Sequence, residues 1–404
     1  MTRSMKESGV QWIGEVPSEW VCNKIKLVTG IRSGEYISAE KYDEKGDFEV
    51  IGSNGKTGYT NSYNNTEEVI TTGRVGTIGK VTIVGKSWIT DNALILKTNE
   101  KILSKLMFYL LPNIDFNLIS TGTAQPLITA TSLKNEIITF PINIKEQQKI
   151  IDLLDGKTLQ IESILQDTKQ SIQELKKYKQ SLIIETVTKG VNKNVKMMDS
   201  GIEWIGDMPE HWHLVKTKRL FYIKKNIANE EGHPILSVTQ HGLKIKDISK
   251  NEGQIATNYS KYQFVNIGDF VMNHMDLLTG WVDNSEFEGV TSPDYRVFRL
   301  IDSKNYLNDY YKYIFQACYS NKIYYGLGQG VSNLGRWRLQ TDKFLNFELP
   351  SPTLAEQKEI VITLNEKCSH IDSLVQEKQQ LLIELDNYKK ALIYEYVTGK
   401  KEVL

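Results

Sequence analysis

Pro293-Asp294, followed by Asp302-Ser303-Lys304, sets carboxylates and a lysine in the order used by Mg²⁺-dependent nucleases, where the acids hold the ion and the lysine offsets phosphorane charge. The pattern is short and recurs by chance, so a self-contained nuclease is only the third reading of the chain. A phosphate-binding loop needs Gly, four residues, then Gly-Lys-Ser/Thr. Gly85-Lys86-Ser87 has Lys80 where the first glycine should stand, and Gly55-Lys56-Thr57 has Val50, so no ATP site is expected. The nine prolines form no Asp/Asn-Pro-Pro-aromatic motif of an amino-methyltransferase; Ser292-Pro293-Asp294-Tyr295 has one proline of the two. His211-Trp212-His213 lacks further Cys or His ligands nearby and reads as a surface turn. Cys22, Cys318 and Cys368 are odd in number, widely spaced and never Cys-x-x-Cys, which argues against a disulfide framework or a zinc site and for a reducing, cytoplasmic compartment. No catalytic residue, no metal site and no cofactor of its own is therefore expected on this chain.

What must position any function is an architecture written twice. Residues 146–188 realign without a gap on 356–398, 210 positions later. Apolar pairs coincide (Ile150/Ile360, Leu154/Leu364, Ile161/Ile371), and so do polar ones (Glu146-Gln147/Glu356-Gln357, Lys179/Lys389), which shared amphipathicity alone would not produce. Trp12-Ile13-Gly14…Pro17…Trp20 recurs as Trp204-Ile205-Gly206…Pro209…Trp212, 192 positions later. The order is opener, variable block, long helix and short linker, then the same again. A period this long indicates duplicated domains rather than a solenoid. Because the four tryptophans repeat in both openers, a shared packing role is favoured for them over base stacking.

Each long helix carries apolar residues at spacings of three and four, and Pro141, Pro350 and Pro352 mark the starts. The expected packing positions are Leu154, Ile161, Leu175, Tyr178 and Leu182 in the first copy and Leu364, Ile371, Leu385, Tyr388 and Leu392 in the second. Ile164 and Leu374 fall in the same stripes, and Lys157, Thr168, Lys367 and Lys378 interrupt them. At about 1.5 Å per residue each helix would span ~65 Å. Neither can bury its stripe alone; the two pack on each other as an antiparallel pair, or each pairs in trans with another subunit.

Residues 21–140 and 213–349 lack heptads and are rich in Gly, Asn, Thr and aromatics. Runs at 69–72, 80–84 and 93–96, and at 235–238, 269–272 and 295–298, read as strands; 105–111 and 310–315 read as helices. Each block is a compact α+β domain by this reading. The two blocks align poorly with each other, which suggests that the frame assembles and the blocks discriminate.

At 404 residues the chain has room for two or more such domains. A 40% apolar and 24% charged composition is ordinary for a globular protein, no apolar run approaches a membrane span, and the start carries no signal core. Lys plus Arg equals Asp plus Glu at 49 each, so net charge gives no support to nucleic-acid binding. Its distribution does: no acid lies between Glu68 and Asp91, between Glu210 and Glu230, or between Asp309 and Asp342, and all three stretches hold several cations. Ordinary solvated faces remain the other reading of any one stretch.

With these residues in view, the chain resembles the specificity subunit of type I restriction-modification enzymes. The resemblance rests on the doubled Trp-Ile-Gly…Pro…Trp openers and on the helix starts at Pro141/Glu146/Gln147 and Pro350 or Pro352 with Glu356/Gln357. Gly122-Thr123-Ala124-Gln125-Pro126, Gly268-Asp269-Phe270-Val271 and Ser292-Pro293-Asp294-Tyr295 also fit it. It implies an α+β fold with two globular α/β target recognition domains, separated by two long antiparallel coiled-coil helices in an internal pseudo-two-fold repeat. The recognition domains would be 1–143 and 191–352, and the conserved long helices 144–190 and 353–404. It implies a non-catalytic subunit that binds a bipartite double-stranded DNA target and docks two modification (methyltransferase) subunits, and through them restriction (translocase and nuclease) subunits. S-adenosylmethionine, ATP and Mg²⁺ would sit on those partners. The alternative is a coiled-coil scaffold or interaction protein with no DNA role.

Arg and Lys grip guanine edges, and Asn and Gln pair with adenine. The candidate readers are therefore Arg74, Lys80 and Gln125 in the first block, and Lys244, Asn273, Gln329, Arg336 and Arg338 in the second.

Overall fold

The computed structural model describes residues 3–122, 125–247, 258–328 and 337–403. It divides into two compact units, 1–169 with 380–404, and 170–379. Both cuts fall inside the long helices, Ile144–Lys189 and Leu354–Val397, so each unit holds one block and a piece of each helix.

In the first unit a four-stranded antiparallel sheet runs in the order Thr29–Ser33, Ala93–Thr98, Val69–Gly73, Val81–Val84. A smaller sheet of Gly55–Thr60, Phe48–Gly52 and Trp88–Ile89 lies beside it. Val21–Lys24 pairs with Ile137–Phe140, so the block closes on itself just before the long helix begins. The core gathers Ile70, Leu94 and Leu96 from the sheet, Leu106 and Leu110 from Ser104–Leu110, and Leu154 and Ile161 from the long helix.

The second unit repeats this topology. Phe221–Lys224, Arg296–Leu300, Phe270–Met272 and Val282–Asn284 form the four-stranded sheet in the same order of first, last, second and third strand. His213–Lys216 pairs with Glu348–Ser351 to close the block. Its core is more aromatic. Phe221 meets Phe270, Phe298, Tyr311 and Phe315 at centroid distances between 5.3 and 5.5 Å. Edge-to-face pairs of this kind add about 0.5–1.5 kcal/mol each beyond the area they bury.

The openers are hairpins. Met5–Glu7 pairs with Glu15–Pro17, and Met197–Asp199 with Asp207–Pro209. Gly14 (φ 69°) and Gly206 (φ 64°) close the two turns, donating to Val10 O and Ile202 O at 2.9 Å. That left-handed backbone is why glycine recurs at the third place of the motif.

In each unit the two helix segments pack antiparallel. Leu392 and Tyr396 join Leu154 and Ile161 in the first unit; Leu182 joins Ile360, Leu364 and Ile371 in the second. The seam keeps a heptad spacing but leaves out three of the apolar residues expected in the stripe. Tyr178 and Tyr388 are 57% and 54% exposed, and Ile164 also faces solvent. Buried Thr158, Ile172 and Thr168, half-buried Leu165 and Lys179, and buried Cys368 take the seam instead. Thr168 is thus part of the seam rather than an interruption. The reason is spacing: positions 154, 158, 161, 165, 168, 172, 175, 179 and 182 alternate in steps of four and three, and Ile164 and Tyr178 each fall one residue off that series and turn outward. Threonine's small branched side chain fits the close approach, and the stem of Lys179 covers apolar surface while its ammonium reaches Asp372.

Among the described residues no helix is long and apolar enough to cross a membrane.

Candidate nucleic-acid interface

The repeated Glu-Gln at the start of each long helix fixes the block to the helix by the same bonds twice. Glu146 Oε1 accepts the Trp20 indole N–H at 3.0 Å, and Glu356 Oε1 accepts that of Trp212 at 2.9 Å. Gln147 and Gln357 are 0% exposed. Gln147 donates to Pro141 O (2.8 Å) and Lys101 O (2.9 Å) and accepts from Leu103 N (2.9 Å). Gln357 donates to Pro352 O (2.9 Å) and accepts from Leu307 N (2.8 Å). Further along, Tyr109 donates to Asp155 Oδ1 at 2.5 Å and Tyr313 to Asn365 Oδ1 at 2.7 Å. Trp20 and Trp212 are buried, in keeping with a packing role.

The two glutamates differ in their remaining partners. Arg3 reaches Glu146, and its pKa is raised: burial works against the charge, but the hydrogen bonds and attraction of Glu146 and Glu19 win. His211 Nε2 lies 2.7 Å from Glu356 Oε1. Burial raises the Glu356 pKa, yet hydrogen bonds from Trp212, Thr353 and His211 outweigh it and bring the carboxyl down to about 2. His211 is thus engaged with a helix start, and the described residues contain no cluster of three metal-ligating side chains. Asp302 accepts from Lys304 N, Asn305 N and Asn305 Nδ2, which makes it the hinge of a tight turn.

Each block carries one candidate reader on equivalent ground, just past the second strand of its four-stranded sheet: Arg74 in the first and Asn273 in the second. In the first unit Arg74 follows Val69–Gly73. Its carbonyl accepts from Ile128 N at 2.8 Å, Gly76 N donates to Pro126 O at 3.2 Å, and Val75 bridges Leu127. The segment containing exposed Gln125 therefore returns beside Arg74. The half-buried Arg74 guanidinium donates to Ser33 Oγ at 2.9 Å and meets no carboxylate among the described residues. Lys80 is exposed, and its carbonyl accepts from Gly73 N at 3.2 Å, so it stands next to the same turn.

In the second unit Asn273 and His274 follow Phe270–Met272. The His274 carbonyl accepts from Leu339 N at 2.9 Å, and Leu277 N donates to Trp337 O at 3.1 Å, which brings Arg338 beside them. Asn273 Oδ1 is partly spent on Met275 N (3.3 Å). Lys244 stands exposed on a separate hairpin, Leu236–Thr239 with Gly242–Ile245, which Asp283 of the sheet edge holds through Leu243 N at 2.8 Å. Leu236 and Ser237 of that hairpin share a cavity of about 280 Å³ with Asn273 and Met275. Gln329 and Arg336 lie outside the described residues. Sequence reasoning passed over His274 and Arg296, which are buried against this site; no local motif marks either.

The family model described as "Type I restriction modification DNA specificity domain" matches residues 17–177 and 205–383. The type I restriction enzyme MjaVIII specificity subunit of Methanocaldococcus jannaschii is 24% identical over 334 residues, covering 79% of this chain and 75% of that protein. A chain from a structure of the complex assembly and conformational transition of the type I R-M system superposes with a TM-score of 0.69 at 14% identity, covering 96% of this chain and 99% of that one. The HsdS subunit from Thermoanaerobacter tengcongensis superposes at 0.52 and 14% identity, covering 96% and 98%.

Proposed function

This chain belongs to the type I restriction-modification DNA specificity family, and from that premise we propose how its two units divide the work of a DNA-recognition subunit. The first reads one half of a split target through Arg74, Lys80 and Gln125; the second reads the other half through Lys244, Asn273 and Arg338, with Gln329 and Arg336 in the same block. The observation that carries this is the repeated topology: both units place basic or amide side chains just past the same strand of the same sheet. Exposed Arg and Lys on rigid turns meet base edges and phosphates, with phosphates in the majority.

The recognition domains extend over 1–143 and 191–352, and the long helices over 144–190 and 353–404 serve as the spacer. A rigid spacer between two readers turns sequence recognition into recognition of sequence plus spacing. Two modification subunits dock on this frame and supply the methyl transfer with S-adenosylmethionine. Restriction subunits with ATP and Mg²⁺ complete the larger complex in the cytoplasm, and this chain contributes no catalytic group. Family membership sets aside a scaffold with no DNA role.

The test is adenine-methylation mapping across genomic DNA after co-expression with a cognate modification subunit, against a culture lacking this chain. Methylation confined to one split motif, and absent without the chain, is the expected result. A folded, copurifying complex with no chain-dependent motif overturns the reading.

A further inference from the structure

Arg296 is 4% exposed and pairs with no carboxylate among the described residues. Its guanidinium donates to Leu339 O (3.0 Å) and Thr341 Oγ1 (3.3 Å) and lies over the Phe344 ring at 4.6 Å. Leu339 N in turn donates to His274 O, and Trp337 O accepts from Leu277 N, so the main chain on both sides of Arg338 is pinned. The side chain is held too. Arg338 Nη2 lies 3.4 Å from Nε2 of His274, which is 7% exposed. A second cation placed beside a buried, unneutralised one repels it, and that cost falls away when an electron-rich partner arrives. Fixing an exposed arginine in this way also removes much of the side-chain entropy that binding would otherwise consume.

We infer that Arg338 is a specificity-determining guanine reader of the second unit and that His274, supported from behind by Arg296, is the positioning residue that presents it. This rests on the reading of the second unit as a DNA-recognition domain. The pairing works only with a neutral ring, whose Nε2 lone pair accepts from Arg338 while the ring proton sits on Nδ1. Burial first, then the charges of Arg296 and Arg338, hold the His274 pKa down to about 3, so the acceptor persists at neutral pH. Burial likewise lowers Arg296 to about 10, which leaves it charged there.

The test uses the full chain co-expressed with its modification subunit and reads the methylated motif base by base. Arg338→Ala and Arg338→Lys relax one guanine position in one half-site, with discrimination falling ~10-fold or more and the other half-site unchanged. His274→Phe keeps a ring without an acceptor and relaxes that same position. His274→Gln, whose amide oxygen stands near the Nε2 place, keeps it strict. If Arg338→Ala leaves every position strict while methylation stays chain-dependent, Arg338 is not a reader and the inference fails, although the family function stands. If Arg338 variants relax the motif but His274→Phe does not, the positioning role fails. Should His274→Phe not fold, His274→Asn, whose amide stops short of Arg338, carries the same expectation. Folding by the Gln variant alone would make the residue structural and overturn the inference as well.

Discussion

Lys389 Nζ lies 2.6 Å from Glu162 Oε1, and its counterpart 210 positions earlier, Lys179, lies 2.6 Å from Asp372 Oδ2. The same lysine of the repeat thus meets the same acidic position in each unit. The carboxylates are 59% and 61% exposed, and exposed ion pairs contribute about 0–1 kcal/mol. They set register more than stability. Lys389→Ala is expected to lower the melting temperature only slightly, and the small loss should vanish in high salt. Leu154→Ala or Leu364→Ala, at fully buried seam positions, should each cost about 2–5 kcal/mol whatever the salt. Thermal unfolding at two ionic strengths separates the two; a salt-insensitive loss at Lys389 matching that at Leu154 would refute the assignment.

Gln357 carries a heavier structural load than its polarity suggests. Its amide satisfies Pro352 O and Leu307 N in a site without solvent. Gln357→Leu fills the space but orphans both main-chain groups, at about 1–3 kcal/mol for each. The expected outcome is a markedly destabilised second unit with the helices still formed, seen as early loss of near-ultraviolet dichroism on heating. Gln147→Leu should do the same in the first unit, where a third group, Lys101 O, is also left unpaired. Unchanged melting in both variants would show that the amides are replaceable.

These polar pairs explain what could be read from the sequence and what could not. The doubled glutamate and the last tryptophan of each opener are legible because they bond to each other, Glu146 to Trp20 and Glu356 to Trp212, so both copies keep both partners. The stripe on the long helices was visible too, but its path was not. Ile164 and Tyr178 look apolar enough for the seam, but each falls one residue off the spacing of four and three that Leu165 and Lys179 keep, and so faces outward. The shared sheet order stayed hidden because Thr29–Ser33 alternates in burial with Ile31 as its one apolar residue, while Phe221–Lys224 is four residues long. His274 and Arg296 gave no local sign, since a buried arginine is defined by what packs around it from distant parts of the chain.

Glu356 sets an acid limit on the second unit. Its folded pKa of about 2 lies below the ordinary value of 4.5. The unfolded chain therefore takes up a proton that the folded one refuses, and the stabilisation, fully present above pH 4.5, is lost as pH falls towards 2. With solvent screening the contribution is on the order of 1–2 kcal/mol. His274, depressed from 6.5 to about 3, acts in an earlier window, with stability falling as pH drops below 6.5. Chemical denaturation at pH 7, 5.5 and 3.5 tests both. Glu356→Gln should flatten only the fall below pH 4.5 and leave the loss between pH 7 and 5.5, whereas His274→Gln should flatten the fall from pH 6.5 down to about 3; identical profiles for both variants and the parent would contradict this account.

Lys80 and Arg74 stand beside one turn but are held differently, and they should fail differently. Lys80 is exposed, with its ammonium on a flexible stem, which suits a phosphate. Arg74 is half-buried and oriented by Ser33 Oγ, which suits a base edge. Lys80→Ala is expected to weaken DNA binding about equally on matched and mismatched duplexes and to reduce the slope of log K against log salt by about 1. Arg74→Ala should instead relax one position of the half-site read by the first unit, at about 1–3 kcal/mol for the matched base. Ser33→Ala, which frees the Arg74 guanidinium without removing it, should give a weaker version of the same relaxation. Fluorescence anisotropy with the assembled methyltransferase complex, on duplexes varied one base at a time and across a salt series, gives both quantities. A uniform loss on Arg74→Ala would move that residue to the backbone contacts and leave Gln125 as the base reader of the turn.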